Sequence, residues 1–465
     1  MNSLLKSENV ASSELLITIA TYLLFAAALV LALLLNKVSG ASESIWSERF
    51  RTSSAGALVA TLAAGWLFTL GFRRAAADRR TKFWFPVFAN VLVVLFCLVL
   101  SEVGLRAVAA PDPLGVRIGS TRLVPYDWKA LAAMNRGFLE HDRSKTSFYT
   151  EDPLLGWTIG PDREGNGGMY KSSAEGLRSM SRGENLHSRE AGHRIALFGD
   201  SFTFGLDVPF EQSWGHYLEL NSDAATQVVN FGVDGYGVDQ AYLRFKREAA
   251  RWSPSVSVLA FIQDDLYRNV TVYPFFRLSW EIPFSKPRFE INDNKLELLN
   301  VPNIPPDLIF GKRSTSELPL LDYDANFESY WWEHSPSYAS YLVRVLATKF
   351  PPWVPRNAHT SDDMAVQLGS RLIEEFVGAA QSVKTEALIV YLPARNDFDG
   401  SGPILLGRLH DALTARGIKL HDLTSCLTRQ VPPGRLFVEG KPHYSGAANA
   451  AVARCIQPLV AAYLN

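Results

Sequence analysis

Ser201 stands in the stretch 194–208, RIALFGDSFTFGLDV, where an apolar run ends in Gly-Asp-Ser and an aromatic segment follows. A buried strand passing at once into a helix would present that hydroxyl at the strand's C-terminal edge. Unsatisfied backbone N–H groups at the helix start lie beside it, and they favour negative charge. The oxyanion formed during acyl transfer is such a charge, and stabilising it is a large part of catalysis. Gly199 permits the sharp turn, Gly205 permits close packing, and Asp200 is expected to shape the turn. A serine that merely caps the helix is the plainer alternative, and Gly-Asp-Ser alone does not separate the two.

Three other segments bring suitable chemistry to the same rim. Gly235, in NFGVDGYG, can offer a backbone N–H after a second strand. Asp264 and Asp265, in QDDLYRN, follow a third strand, and His443, in GKPHYSGAANAAVA, opens the last helix. A nucleophile, a base and polar donors at one edge make an acyl-transfer site.

The elements that must hold these residues read as alternating strands and helices. Strands are predicted at RIALFG, QVVNFG, 256–263, 387–392 and IKLHDL. Helices are predicted near 212–220, over DQAYLRFKREAARW, and at 364–383, 404–416 and 447–464. The strands are apolar throughout rather than alternating, which predicts a parallel sheet covered on both faces. The fold class is therefore α/β, a three-layer α/β/α sandwich. An insertion at 270–363 interrupts the rhythm; it carries a hairpin turning at Asn292-Asp293-Asn294 and the aromatic run SYWWEHSPSYASY. Tyr330, Trp331 and Trp332 are expected either to wall the substrate site or simply to pack on the scaffold. Residues 108–190 read as an irregular lead-in arm, leaving 191–465 as the domain with the chemistry.

FGDSFTFG, VVNFGVDGYG, IQDDLYRN and HYSGAANAAVA, in this order, resemble the blocks of the SGNH (GDSL-type) hydrolase family. The resemblance implies a five-stranded parallel sheet of flavodoxin-like order, a Ser201 nucleophile and a His443 base. It implies oxyanion donors at the Ser201 N–H, the Gly235 N–H and the third-block side chain. Two positions depart from the family pattern. Asp264 stands where the family has a donor Asn, and a carboxylate donates only when protonated. Burial beside Asp265 would raise a pKa in that pair. Gly440 stands where the family places an Asp three residues before the histidine, with Glu439 just upstream. A Ser-His dyad, or Glu439 as a displaced acid, are the two alternatives.

Apolar residues make up 47% of the 465 residues and the net charge is −1, which fits a globular chain and gives no footprint for nucleic acid. Uncharged runs at 15–35, 55–72 and 83–101 are expected to be transmembrane helices within a membrane region, 1–107. A signal peptide is the alternative for the first run. RRAAADRRTK, between the second and third runs, predicts a cytoplasmic loop. The expectation is a multi-pass inner-membrane protein with a periplasmic C-terminal domain, for which the bilayer is a partner. Cys97 lies in the third run, whereas Cys426 and Cys455 either bridge in an oxidising compartment or stay as separate buried thiols. No cysteine or histidine spacing suggests a metal site, and no cofactor is expected. The function these observations imply is a serine esterase cleaving or transferring an acyl group, with O-acetyl on a polysaccharide or glycolipid as the substrate class. A catalytically weakened domain serving as a carbohydrate-binding or assembly subunit is the alternative.

Overall fold

A computed structural model describes residues 98–99, 101–144, 147–276, 282–350, 358–398 and 404–464. The chain divides into two compact units. One gathers residues up to Leu131 with Glu328–Val354, and the other takes Ala132–Phe327 and Pro355–Asn465. The division thus falls within the expected arm and within the insertion, rather than at 107 and 190.

In the first unit, strands Ala109–Asp112, Gly115–Ile118 and Thr121–Leu123 form a small antiparallel sheet. Leu105, Ile118 and Leu123 pack with Val345 of the helix Tyr341–Lys349. Trp331 and Trp332 belong here, with ring centroids 5.0 and 5.5 Å from Tyr126. The aromatic run therefore packs on the lead-in chain of its own unit, the plainer of the two expectations.

The second unit is built on five parallel strands: β1 (His193–Gly199), β2 (Thr226–Asn230), β3 (Val256–Phe261), β4 (Glu386–Tyr391) and β5 (Leu420–Asp422). Their order is β2-β1-β3-β4-β5, the flavodoxin-like order. In register, Ile195 of β1 faces Val228 of β2 and Val256 of β3. All six β3 residues are buried, as a doubly covered sheet requires.

The intervening helices are α1 (Ser201–Phe204), α2 (Trp214–Leu220), α3 (Val238–Trp252), α4 (Gln263–Arg268), α5 (Ala358–Ser382), α6 (Leu406–Thr414), α7 (Thr424–Gln430) and α8 (Gly446–Leu464). On one face Ile195, Leu197, Val258 and Val390 meet Trp214 and Leu218 of α2 and Val452 and Ile456 of α8. On the other, Phe198 stacks on Phe231 at 4.8 Å and meets Phe245 of α3 at 5.3 Å, while Phe245 meets Phe376 of α5 at 4.5 Å. Burial on this scale, at about 25 cal/mol per Å² of apolar surface, drives the sandwich together. Cys426 and Cys455 form a disulfide that ties α7 to α8.

The described residues of 132–190 carry more regular structure than their composition suggests. The helix Trp128–Ser144 runs into them. A hairpin, Tyr149–Asp152 with Gly156–Ile159, and a three-stranded sheet, Glu164–Gly165, Tyr170–Ser172 and Arg178–Ser179, follow. The predicted hairpin is present as Arg288–Asn292 paired with Lys295–Leu299, turning through Asp293 and Asn294 at φ of 47° and 59°. Positive φ at both turn residues matches the twist of the flanking strands.

The multi-pass inner-membrane localisation, with its periplasmic C-terminal domain, is corrected, and the bilayer partner that went with it is not shown. Among the described residues no helix is long and apolar enough to cross a membrane. Of the longest described helices, α8 with 19 residues packs Val452 and Ile456 against the sheet, and α5 with 25 sets Phe376 against Phe198 of β1. The apolar runs at 15–35 and 55–72 lie outside the described residues, as does 83–101 apart from residues 98, 99 and 101.

Candidate active site

The junction of β1 and α1 is shaped by three residues. Gly199 has φ of 159°, and a Cβ there would lie 2.1 Å from the Ala260 carbonyl oxygen of β3. No side chain fits so close to a neighbouring strand. Asp200 caps α1, its Oδ1 accepting from the Phe202 N–H at 2.9 Å. Gly205 ends the helix at φ of 80°, its N–H donating to the Ser201 carbonyl at 3.0 Å. Ser201 is thereby fixed at the first helical position, 2% exposed.

His443 arrives from the other end of the chain. The Val438 N–H donates to the His443 carbonyl at 2.9 Å, closing a tight loop, and Ser445 then caps α8 through the Ala448 N–H at 3.2 Å. Arg395, from the loop after β4, braces this loop by donating to the Lys441 carbonyl at 2.5 Å. The imidazole sits beside the Phe202 ring, with centroids 5.2 Å apart. Its Nε2 lies 2.9 Å from Ser201 Oγ and its Nδ1 lies 2.7 Å from Asp207 Oδ2. Ser201, His443 and Asp207 thus form one continuous hydrogen-bonded chain.

Asp207 is the residue that sequence reasoning missed. It lies just past α1 with φ of 65°, a conformation that Asp tolerates better than most residues. Its loop is pinned by the lead-in arm. The Asp207 N–H donates to the Tyr170 hydroxyl at 2.9 Å, and Arg178 Nη2 donates to the Val208 carbonyl at 3.0 Å. Arg178 is held between the Tyr170 and Phe204 rings, 4.6 Å from each centroid, and burial lowers its pKa to about 10. Lys441 Nζ lies 3.8 Å from the second Asp207 oxygen. The Asp in GLDV follows Ser201 rather than preceding His443, so a search near His443 passes it by.

The other expected residues fall in different places. Glu439 is exposed, and Gly440 is an exposed turn residue at φ of 69°. Neither takes the imidazole Nδ1, which Asp207 holds. Gly235 is buried in the loop after β2, at φ of 77°. That loop is pinned on both sides of Gly235: Trp157 Nε1 donates to the Asp234 carbonyl at 2.9 Å, and the Tyr236 hydroxyl donates to the Trp157 carbonyl at 2.6 Å. Among the described residues, the Ser201 and Gly235 N–H groups donate to no protein acceptor.

Asp264 and Asp265 part company. The Asp264 side chain is 42% exposed, with a carboxylate oxygen 4.0 Å from Arg268 Nη2. Asp265 is buried, accepts from the Ile262 N–H at 3.1 Å, and pairs with Arg268 at 2.6 Å. Burial and then the nearby Asp200 carboxylate push Asp265 well up from the usual carboxylate range. No group of three His, Cys, Asp or Glu suited to a metal ion occurs among the described residues.

No protein-family model matches this sequence, and no curated protein does. Solved structures similar to it include a putative lipolytic protein of the G-D-S-L family from Desulfitobacterium hafniense, 13% identical, covering 58% of this chain and 99% of its own at a TM-score of 0.31. A carbohydrate acetylesterase family member from Sinorhizobium meliloti is 12% identical, covering 58% and 99%, at 0.30. A catalytic mutant of an acetylxylan esterase from Geobacillus stearothermophilus is 11% identical, covering 58% and 94%, at 0.29. At these scores the fold assignment stands on the chain's own sheet order and block positions.

Proposed function

We propose, from the premise that this chain has the SGNH hydrolase fold, that it is a serine hydrolase of ester bonds. Ser201 is the nucleophile, His443 the general base and Asp207 the residue that orients and charge-balances the imidazole. The observation that carries the reading is the unbroken chain Asp207–His443–Ser201, at 2.7 and 2.9 Å.

With Asp207 accepting from Nδ1–H, Nε2 is the nitrogen left to accept the Ser201 proton as Oγ attacks an ester carbonyl. The imidazolium so formed is stabilised by the Asp207 carboxylate. The Ser201 and Gly235 N–H groups receive the oxyanion. His443 then protonates the leaving alcohol, and water attacks the acyl-serine with His443 again as base. Asp264 is given no part as a donor in this reading, since its side chain is turned out to 42% exposure. The substrate we assign is a short O-acyl group, acetyl on a polysaccharide or glycolipid sugar; the burial of Ser201, 2% exposed, supports a small acyl group. Transfer to a second alcohol uses the same machinery.

A weakened binding module is the alternative, resting partly on the missing acid at Gly440; the Asp207 contact with His443 Nδ1 favours the hydrolase. Purified protein is expected to hydrolyse p-nitrophenyl acetate, and Ser201→Ala to lose that activity while keeping its melting temperature within a few degrees. Equal turnover by the two proteins would end the reading.

A further inference from the structure

Neither the Ser-His-Asp chain nor the backbone donors account for Arg268. It lies one helical turn beyond Asp264 on α4, with its side chain 9% exposed. Its Nη1 donates to Asp265 Oδ1 at 2.6 Å, to the Tyr236 carbonyl at 3.0 Å and to Asp200 Oδ2 at 3.2 Å. Three acceptors converge on one nitrogen, while the buried Nε has no hydrogen-bond partner among the described residues. The side chain is placed for charge rather than for full hydrogen-bond satisfaction.

The acceptor that matters is Asp200. It is fully buried, and the same Oδ2 that meets Arg268 lies 3.4 Å from Ser201 Oγ. The seryl hydroxyl thus faces two acceptors, His443 Nε2 at 2.9 Å and Asp200 at 3.4 Å. An unshielded carboxylate there would compete for the proton that must reach His443. It would also repel the negative charge that develops on the substrate oxygen, and buried charges interact strongly.

We propose that Arg268 neutralises Asp200, which directs the Ser201 proton to His443 and removes a like-charge repulsion from the transition state. Arg268 acts through Asp200 and is therefore a positioning residue. The proposal rests on the serine-hydrolase reading above. Burial opposes charge on the guanidinium, but Asp265 and Asp200 outweigh it and hold Arg268 protonated. The invariant of the design is that two buried carboxylates, one of them against the nucleophile, share one buried cation.

The test is a charge-cancellation cycle on p-nitrophenyl acetate, with melting temperatures recorded for every variant. Arg268→Gln is expected to lower kcat about 100-fold, the scale of losing one electrostatic stabiliser, with KM changed less than about threefold. Asp200→Asn in the Arg268→Gln background is expected to restore at least about tenfold of that loss, because it removes the charge left bare; a role in packing alone would not be rescued this way. Arg268→Lys, which keeps the charge, is expected to stay within about tenfold of wild type. A double variant no faster than Arg268→Gln, or a loss confined to KM, overturns the proposal. Should Arg268→Gln not fold, the double variant is compared directly with wild type: within about 30-fold in kcat supports the proposal, and a larger loss overturns it. An inactive wild-type protein would instead count against the function proposed above.

Discussion

Replacing Asp207 is the perturbation whose size can be worked out most fully. The carboxylate lies 2.7 Å from His443 Nδ1, and both side chains are largely buried, at 15% and 12% exposed. When His443 takes the serine proton, an ion pair forms with charge centres roughly 4 Å apart. At an effective dielectric of about 20 that attraction is about 4 kcal/mol, or roughly 10³ in rate. Asp207→Asn removes this attraction and also adds an amide N–H that can donate to Nδ1. The imidazole then carries its proton on Nε2 and cannot accept from Ser201, so the total loss is expected to reach about 10³–10⁴ in kcat. KM should move by less than about threefold, since Asp207 touches the base and not the ester. The assay is steady-state hydrolysis of p-nitrophenyl acetate, beside Glu439→Gln as a control. Glu439 is exposed and His443 Nδ1 is already occupied, so that control should stay within about twofold of wild type. An Asp207→Asn enzyme within tenfold of wild type, or a larger loss for Glu439→Gln, would refute the reasoning.

Other outcomes follow from the same geometry. Tyr170→Phe removes the acceptor for the Asp207 N–H and should cost about 1 kcal/mol of stability with a several-fold fall in kcat, read by urea unfolding and initial rates. Gly199→Ala drives a Cβ to 2.1 Å from the Ala260 carbonyl, so little folded protein should be recovered, as judged by circular dichroism and yield. Cutting the Cys426–Cys455 bridge, which spans 29 residues, should lower stability by about 3–4 kcal/mol, measured as the difference between oxidised and doubly Ser-substituted protein. Asp324 is raised by burial from 3.8 to about 6, although three backbone N–H groups work against the shift. Its contribution to stability is therefore full below about pH 4 and lost as pH rises through about 6, and Asp324→Asn should flatten the urea midpoint across that window.

The sheet was legible in the sequence because each strand is an uninterrupted apolar segment between helix-forming stretches, and a doubly covered parallel sheet demands that pattern. Gly199, Asp200 and Ser201 were legible because a strand ending in a turn and a helix start leaves little freedom for the residue between. Asp207 was not. Its role depends on a left-handed backbone residue held by Tyr170 and Arg178, which come from a segment whose composition reads as loop. That arm is ordered by a few buried anchors, Trp157, Tyr170 and Arg178, rather than by periodic hydrophobicity, so periodicity could not reveal it. In the sequence Asp264 and Asp265 stand as one carboxylate pair. Adjacent helical residues point in different directions: Asp265 is buried against Arg268 at 2.6 Å, while Asp264 stays 42% exposed at the edge of the same guanidinium, 4.0 Å away. The aromatic run at 330–332 advertised a surface, but sequence spacing could not say which unit it would pack within.

The most direct measurement of the central claim is covalent trapping of the nucleophile. A fluorophosphonate added to the purified protein should attach once, the adduct should map to Ser201 by peptide mass spectrometry, and labelling should vanish in Ser201→Ala and slow sharply in His443→Ala. A protein that stays unlabelled, or one modified at a different residue with Ser201 untouched, would contradict the account.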